Sequence, residues 1–225
     1  MDILAYILFI SVVTPLLLSL LLLDGKSRLI SGYLIIGMFV SLFVSELNTL
    51  ILNSVDKDMV YVSTTITPVT EEVLKALPVL FYAFVFSDSI EKLTPISFSL
   101  GIGFALFENM VVLVKSISNV TISWAIIRGL STALMHAICT VMIGYGMSFV
   151  RKRKKFFYCG TFALLSTAIL YHAIFNMLVQ SEYDYIGFIL PGLTYIPILV
   201  SIYDRKKKAI NKSTAIKKAD TGSPK

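Results

Sequence analysis

The chain has 225 residues, of which 56% are hydrophobic and only 15% are charged, and its mean hydropathy is +0.80. Because a soluble domain carries about 25% charged residues, this composition excludes an ordinary soluble protein and indicates an integral membrane protein. The net charge of +6 does not indicate nucleic-acid binding, since the basic residues cluster in residues 151–155 and in the tail from Arg205 onward, as membrane orientation requires.

Seven apolar segments are each long enough for a transmembrane helix, which needs about 20 predominantly apolar residues. They are residues 3–23, 29–52, 66–87, 95–115, 121–150, 156–180 and 186–203. The first segment exceeds the apolar region of a signal peptide, which is about 7–15 residues long, so it is predicted to be a retained span. The sequence therefore predicts an all-α, polytopic integral membrane protein with about seven transmembrane helices.

The transmembrane domain is predicted to cover residues 1–203, followed by a basic tail at 204–225 that is disordered or lies on anionic lipid. Most lysines and arginines lie in this tail and in the loops after the first, third and fifth segments, whereas the opposite loops contain only Lys57 and Lys115. Since cytoplasmic loops are enriched in basic residues, we predict a multi-pass protein of the cell membrane with its N-terminus outside and its C-terminus in the cytoplasm.

The third segment contains two adjacent glutamates, Glu71 and Glu72, followed by Lys75. A carboxylate inside a bilayer costs about 2.5–3.5 kcal/mol even on insertion scales, so the pair requires partners, water or a chemical role. Lys75 is three residues from Glu72 and four from Glu71, so a structural ion pair on one helical face is the simplest explanation. That explanation accounts for one carboxylate and leaves the other without a role.

The next three segments also carry polar groups, and several are spaced four residues apart, which places them on one helical face. These groups are Glu108 and Asn109 in the fourth segment, Arg128, Thr132, His136 and Thr140 in the fifth, and His172 and Asn176 in the sixth. Each has a structural explanation by itself, through ion pairing or interhelical hydrogen bonds. With the predicted orientation, however, most of them lie at outer-half to middle depth. This convergence predicts a polar, water-filled site between spans 3 and 6, within residues 66–180.

Two histidines and one glutamate form a known catalytic zinc set, and a second glutamate then serves as the general base. Glu108, His136 and His172 are therefore candidate metal ligands, and Glu71 or Glu72 is the candidate proton acceptor from water. No predicted span contains a His-Glu-x-x-His motif, an aspartate or a serine nucleophile motif. The acids available for hydrolysis are thus glutamates.

Arg128 or Asn176 can stabilise the oxyanion of a tetrahedral intermediate. A metal-free scheme is equally available, in which Glu71 and one histidine activate water while the other histidine and Asn176 form the oxyanion hole. Lys75 holds one glutamate in place in either scheme. Both schemes hydrolyse a peptide bond in the membrane, and the residues alone leave a zinc enzyme and a metal-free enzyme open.

The ordered motifs of spans 3 to 6 resemble those of the PrsW family of intramembrane proteases. The motifs are Glu71-Glu72-x-x-Lys75, Phe104-x-x-x-Glu108-Asn109, Arg128 with His136, and His172-x-x-x-Asn176. That family is similar to the CAAX-prenyl endopeptidases, to bacteriocin-processing proteins and to the APH-1 subunit of gamma-secretase. Lys75 and the Glu-Asn pair match PrsW more closely than the CAAX group, and the resemblance covers about half of the chain.

The resemblance implies an intramembrane endopeptidase whose catalytic residues are Glu71, Glu72, His136 and His172, and it favours Glu71 as the base. It also implies a single-span membrane protein as substrate, of the anti-sigma-factor type, cleaved near the outer face. Two alternatives remain at this stage. One is a non-catalytic, APH-1-like membrane scaffold, and the other is a proton-coupled transporter, since acids and histidines also form proton relays.

Overall fold

The computed structural model describes residues 3–116, 120–151, 154–197 and 199–200, and the predicted tail at 204–225 lies outside these described residues. Most of the described residues are helical, and there is no strand among them. The helices are α1 (Ile3–Leu22), α2 (Gly25–Ser54), α3 (Met59–Tyr61), α4 (Thr67–Val85), α5 (Ile90–Lys115), α6 (Ile122–Met147) and α7 (Lys154–Val179). A π-helical turn, Val62–Ile66, joins α3 to α4, and residues 184–197 are also helical.

Among the described residues, five helices are long and apolar enough to cross a membrane, namely α1, α2, α5, α6 and α7. The other two predicted spans correspond to α4 and to the helical stretch 184–197. The 19-residue helix α4 carries Glu71, Glu72 and Lys75, and it packs against α2, α5, α6 and α7. The predicted all-α, multi-pass membrane fold is confirmed, with the helix that carries the two adjacent glutamates packed among apolar ones.

Local signals in the sequence explain several helix ends. Asp58 caps α3, because its carboxylate accepts a hydrogen bond from the Tyr61 N–H at 2.7 Å. Thr121 caps α6 in the same way through the Trp124 N–H. One predicted start differs from the structure, since the fourth span begins at Ile90 rather than at residue 95. The chain enters α4 directly from the π-helical turn, without a side-chain cap.

Helix α5 lies against both α2 and α6 at very short range, and two glycines permit this. A Cβ atom at Gly103 would lie 1.9 Å from the Leu34 carbonyl oxygen of α2, and one at Gly101 would lie 2.6 Å from the His136 carbonyl oxygen of α6. Small residues let helix backbones approach closely in membranes. The contact at Gly101 therefore fixes α5 beside the turn of α6 that carries His136.

The chain divides into two compact units, Met1–Pro191 and Gly192–Lys225. The first contains α1–α7 and all the candidate site residues. Its largest cluster of buried side chains includes Val79, Ile96, Leu100, Met135 and Ile143, contributed by α4, α5 and α6. In the second unit, only residues 192–197 and 199–200 are described.

Candidate active site

Four helices bring the predicted polar residues into one cluster in the interior of the first unit. The cluster members are Glu71, Glu72 and Lys75 of α4, Glu108 of α5, His136 of α6 and His172 of α7. All are buried except Glu108, which is partly buried. The convergence that the sequence predicted between spans 3 and 6 therefore exists, since α4 to α7 are those four spans.

Glu72 is the anchored carboxylate of the adjacent pair. Its Oε1 atom lies 2.6 Å from Lys75 Nζ and 2.8 Å from His172 Nδ1. The Lys75 ammonium also lies 4.5 Å from the centre of the Phe104 ring, within range of a cation–π contact. Lys75 and Glu72 are completely buried, so each depends on the other for its charge to be tolerated. The ion pair expected from the sequence thus involves Glu72 rather than Glu71.

His136 is held on both sides of its ring. Its Nε2 atom lies 2.6 Å from Glu108 Oε2, and its Nδ1 atom lies 2.8 Å from Lys75 Nζ. The second oxygen of Glu108, Oε1, lies 3.5 Å from Arg128. A chain of contacts therefore connects Arg128, through Glu108 and His136, to the buried lysine on α4.

Glu71 differs from its neighbour in what its Oε2 atom faces: the buried Oε2 atoms of both glutamates lack a hydrogen-bond partner, and the one on Glu71 lies near both histidines. This atom lies 3.9 Å from His136 Nδ1 and 3.8 Å from His172 Nε2. The two imidazole rings are nearly perpendicular, at 88°, with their centres 4.9 Å apart. One carboxylate oxygen and two ring nitrogens therefore face a common point.

This group fits the chemistry of a metal site. Among the described residues, Glu71, His136 and His172 offer ligand atoms within 4.8 Å of one another. The other ring nitrogen of each histidine lies beside a carboxylate, Glu108 for His136 and Glu72 for His172. Metal-bound histidines characteristically have such a partner, which orients the ring. The carboxylate of the set is Glu71, whereas the sequence prediction named Glu108, which contacts the opposite nitrogen of His136.

A cavity of about 290 Å³ lies between α2, the π-helical turn, α4 and α5. Both Glu71 and Glu108 line it, together with polar side chains of α2. Met59 and Lys115 line the cavity as well, and they lie at helix ends that share one side of the molecule. The cavity thus connects that side to the Glu71 carboxylate. The side of the cavity formed by α2 was not predicted from the sequence, although Ser41, Ser45 and Asn48 have the spacing of one helical face.

The two residues predicted to stabilise a transition state have structural contacts here. Asn176 donates a hydrogen bond from Nδ2 to the carbonyl oxygen of Ser63, at 2.9 Å, and so ties α7 to the π-helical turn. Arg128 contacts Glu108 and lies over the Trp124 ring, and its buried Nε atom has no partner. One turn further along α6, the buried Thr132 hydroxyl also lacks a partner.

Comparison with known proteins adds an independent line of evidence. A family model described as PrsW family intramembrane metalloprotease matches residues 26–202, more than three quarters of the chain. The chain is 26% identical to Protease PrsW of Clostridioides difficile (strain 630) over 229 aligned positions, which cover 93% of this chain and 94% of that relative. No solved structure matches the chain significantly. The region matched by the family model contains α4 to α7 and therefore the whole candidate site.

Proposed function

The chain belongs to the PrsW family of intramembrane metalloproteases, and from this premise we propose that it hydrolyses its substrates with water held among Glu71, His136 and His172. The protein is a multi-pass membrane protease, so its substrates are membrane-embedded proteins. The observation that carries the proposed mechanism is the unpartnered Oε2 atom of Glu71, which faces two imidazole nitrogens. A purely structural carboxylate at this depth would need a partner.

Zinc is the metal that this donor set suits best, because two imidazoles and one carboxylate with an open fourth position form a catalytic zinc set. Glu71, His136 and His172 would hold it. When bound, such a metal lowers the pKa of a water molecule and polarises a carbonyl group. Lys75 Nζ lies 2.8 Å from His136 Nδ1, the nitrogen that would hold the metal. Metal binding would therefore require Lys75 to leave His136 and keep only its contact with Glu72, at 2.6 Å.

The remaining carboxylates have supporting roles in this proposal. Glu72 orients His172 and neutralises Lys75, which makes it a positioning residue. Glu108 lines the cavity and shares a hydrogen bond with His136 Nε2, so this pair can carry a proton between the ring and the substrate. The assignment of Arg128 and Asn176 to transition-state stabilisation stays a prediction, and the bond from Asn176 to Ser63 favours a positioning role for the asparagine.

We further propose that the site opens toward the outer face of the cell membrane, with the C-terminus in the cytoplasm. The support is the excess of lysine and arginine on the other side of the helices. A single-span protein with an outer-face cleavage site, such as an anti-sigma factor, fits this geometry. The cavity ends near Met59 and Lys115, at the side that this orientation places outside.

The direct test is a Glu71→Gln variant, which keeps the size of the side chain and removes its negative charge. Cleavage of a single-span reporter should be abolished, while a Glu182→Gln variant, at an exposed loop position, should retain full activity. Metal content of the purified proteins then assigns the role of Glu71. Loss of zinc together with activity identifies a ligand, and loss of activity alone identifies a proton acceptor. Full cleavage by Glu71→Gln would refute the mechanism.

A further inference from the structure

The α2 wall of the cavity carries polar side chains that the proposed chemistry does not use. Ser41, Ser45, Asn48 and Leu52 line the cavity at spacings of three or four residues, so they form one stripe along the helix. Asn48 Oδ1 accepts a hydrogen bond from the Thr70 hydroxyl at 2.7 Å. This contact engages the carbonyl side of the Asn48 amide, and its NH₂ group keeps further donor capacity.

A protease that cleaves inside a membrane must first unwind the helix that contains the cleaved bond. In a transmembrane helix every peptide group is hydrogen-bonded within the helix, and a peptide group left without a partner in lipid is strongly unfavourable. Ser41 and Asn48 are seven residues apart on α2, about 10 Å along its axis. An extended chain covers that distance in about three residues. These two side chains can therefore contact the main chain of an unwound peptide at points about three residues apart.

The charged groups of the cavity are arranged along its length. Glu71 and Glu108 lie at the catalytic end, and Lys115 is the cation among the lining residues. Lys115 is seven residues beyond Glu108 on α5, a distance of about 10 Å along the helix. An extended chain covers that distance in about three residues. Lys115 can thus form an ion pair with an acidic side chain of the substrate, three residues from the peptide bond that is cleaved at Glu71.

We propose that this cavity is the substrate cleft and that it binds an unwound, extended segment of a membrane-anchored protein. Ser41 and Asn48 hold the main chain of that segment, and Lys115 selects an acidic residue about three positions from the cleaved bond, toward the mouth. The proposal rests on the proposed function, because it takes the cleaved bond to lie at Glu71.

Photocrosslinking tests the cleft without requiring cleavage. A photoreactive phenylalanine replaces Leu52, which lines the cavity, or Leu50, which lies on the same helix and is 64% exposed. In a Glu71→Gln background, position 52 should crosslink to a single-span reporter and position 50 should not. Equal crosslinking from both positions, or crosslinking from position 50 alone, overturns the cleft. If position 52 crosslinks specifically but the protein with Glu71 intact cleaves no reporter, the binding cleft is supported and the hydrolytic function is rejected.

A charge exchange tests the selection by Lys115. The Lys115→Glu variant should cleave a reporter with an acidic third residue with kcat/KM lowered about fivefold, the upper end for an exposed ion pair. It should regain activity toward a reporter with lysine at that position. The matched control is Lys57→Glu, at the same side of the helices but outside the cavity lining, which should not discriminate between the reporters. Equal losses toward both reporters with Lys115→Glu would overturn the selection.

Discussion

The two glutamates have opposite environments although they are consecutive in the chain. Glu72 contacts Lys75 and His172 through Oε1, whereas the unpartnered Oε2 atom of Glu71 lies 3.9 Å and 3.8 Å from nitrogens of His136 and His172. Successive residues on a helix point about 100° apart, so one side chain faces the interior of α4–α7 and the other reaches the cavity. The pair therefore combines one carboxylate that stabilises the cluster with one that remains available for chemistry.

This difference predicts opposite effects on stability. Glu72→Ala leaves the Lys75 ammonium buried without a partner and should destabilise the protein by about 3–5 kcal/mol. Glu71→Ala removes a buried carboxylate while the salt bridge between Lys75 and Glu72 stays in place, so it should leave stability unchanged or increase it. Thermal unfolding of the purified variants in detergent measures both. In the Glu72→Ala/Lys75→Met double variant, most of the lost stability should return, because no unpaired charge remains buried. Equal melting temperatures for the two single variants would contradict this assignment.

At the scale of helices, the packing of α5 determines the width of the cavity. Gly103 places the α5 backbone against the Leu34 carbonyl of α2, and the cavity lies between these two helices and α4. Any side chain at Gly103 must push α2 and α5 apart.

Gly103→Ala should therefore destabilise the fold and reduce cleavage, because the added Cβ would lie 1.9 Å from a backbone oxygen. Gly129→Ala on α6 is the matched control, since nothing lies within 4 Å of a Cβ there. In a helix interior, alanine is favoured over glycine by about 1 kcal/mol, so the control should be neutral or slightly stabilised. Melting temperature and reporter cleavage provide the comparison, and equal behaviour of the two variants would show that this contact does not constrain the helices.

The helices and most site residues could be predicted from sequence, and the reasons are physical. Long apolar runs specify spans, and ionisable groups within them stand out because the bilayer penalises them. The pairing of Glu72 with Lys75 could not be assigned in this way, since i,i+3 and i,i+4 neighbours are equivalent on a helix surface. Whether Glu108 is a metal ligand or a hydrogen-bond partner of His136 could not be assigned either, because this depends on which ring nitrogen it contacts. The cavity could not be predicted, because the serines and the asparagine on α2 are only moderately polar and are common in membrane helices. They line a cavity only because α5 packs opposite them.

For the molecule as a whole, the site lies toward one side of the helical bundle. Glu71 is in the second turn of α4, and His172 and Glu108 are each seven residues from the ends of α7 and α5. Because consecutive helices alternate in direction, these ends share a side with Lys57 and Lys115. At the opposite side, Phe84 and Phe86 are exposed, as expected of aromatic residues at a membrane interface.

Which side faces outward decides the substrates that can reach Glu71, and cysteine labelling settles it. Lys57→Cys and Lys92→Cys lie at opposite ends of the helices, and Cys159→Ser removes the exposed native thiol while Cys139 stays buried. A membrane-impermeant maleimide applied to intact cells should label position 57 and leave position 92 unlabelled until lysis, because the basic loops are predicted to be cytoplasmic. The reverse pattern would place the cavity mouth in the cytoplasm. An outer-face cleavage site would then be unreachable, whereas the chemistry of Glu71, His136 and His172 would be unaffected.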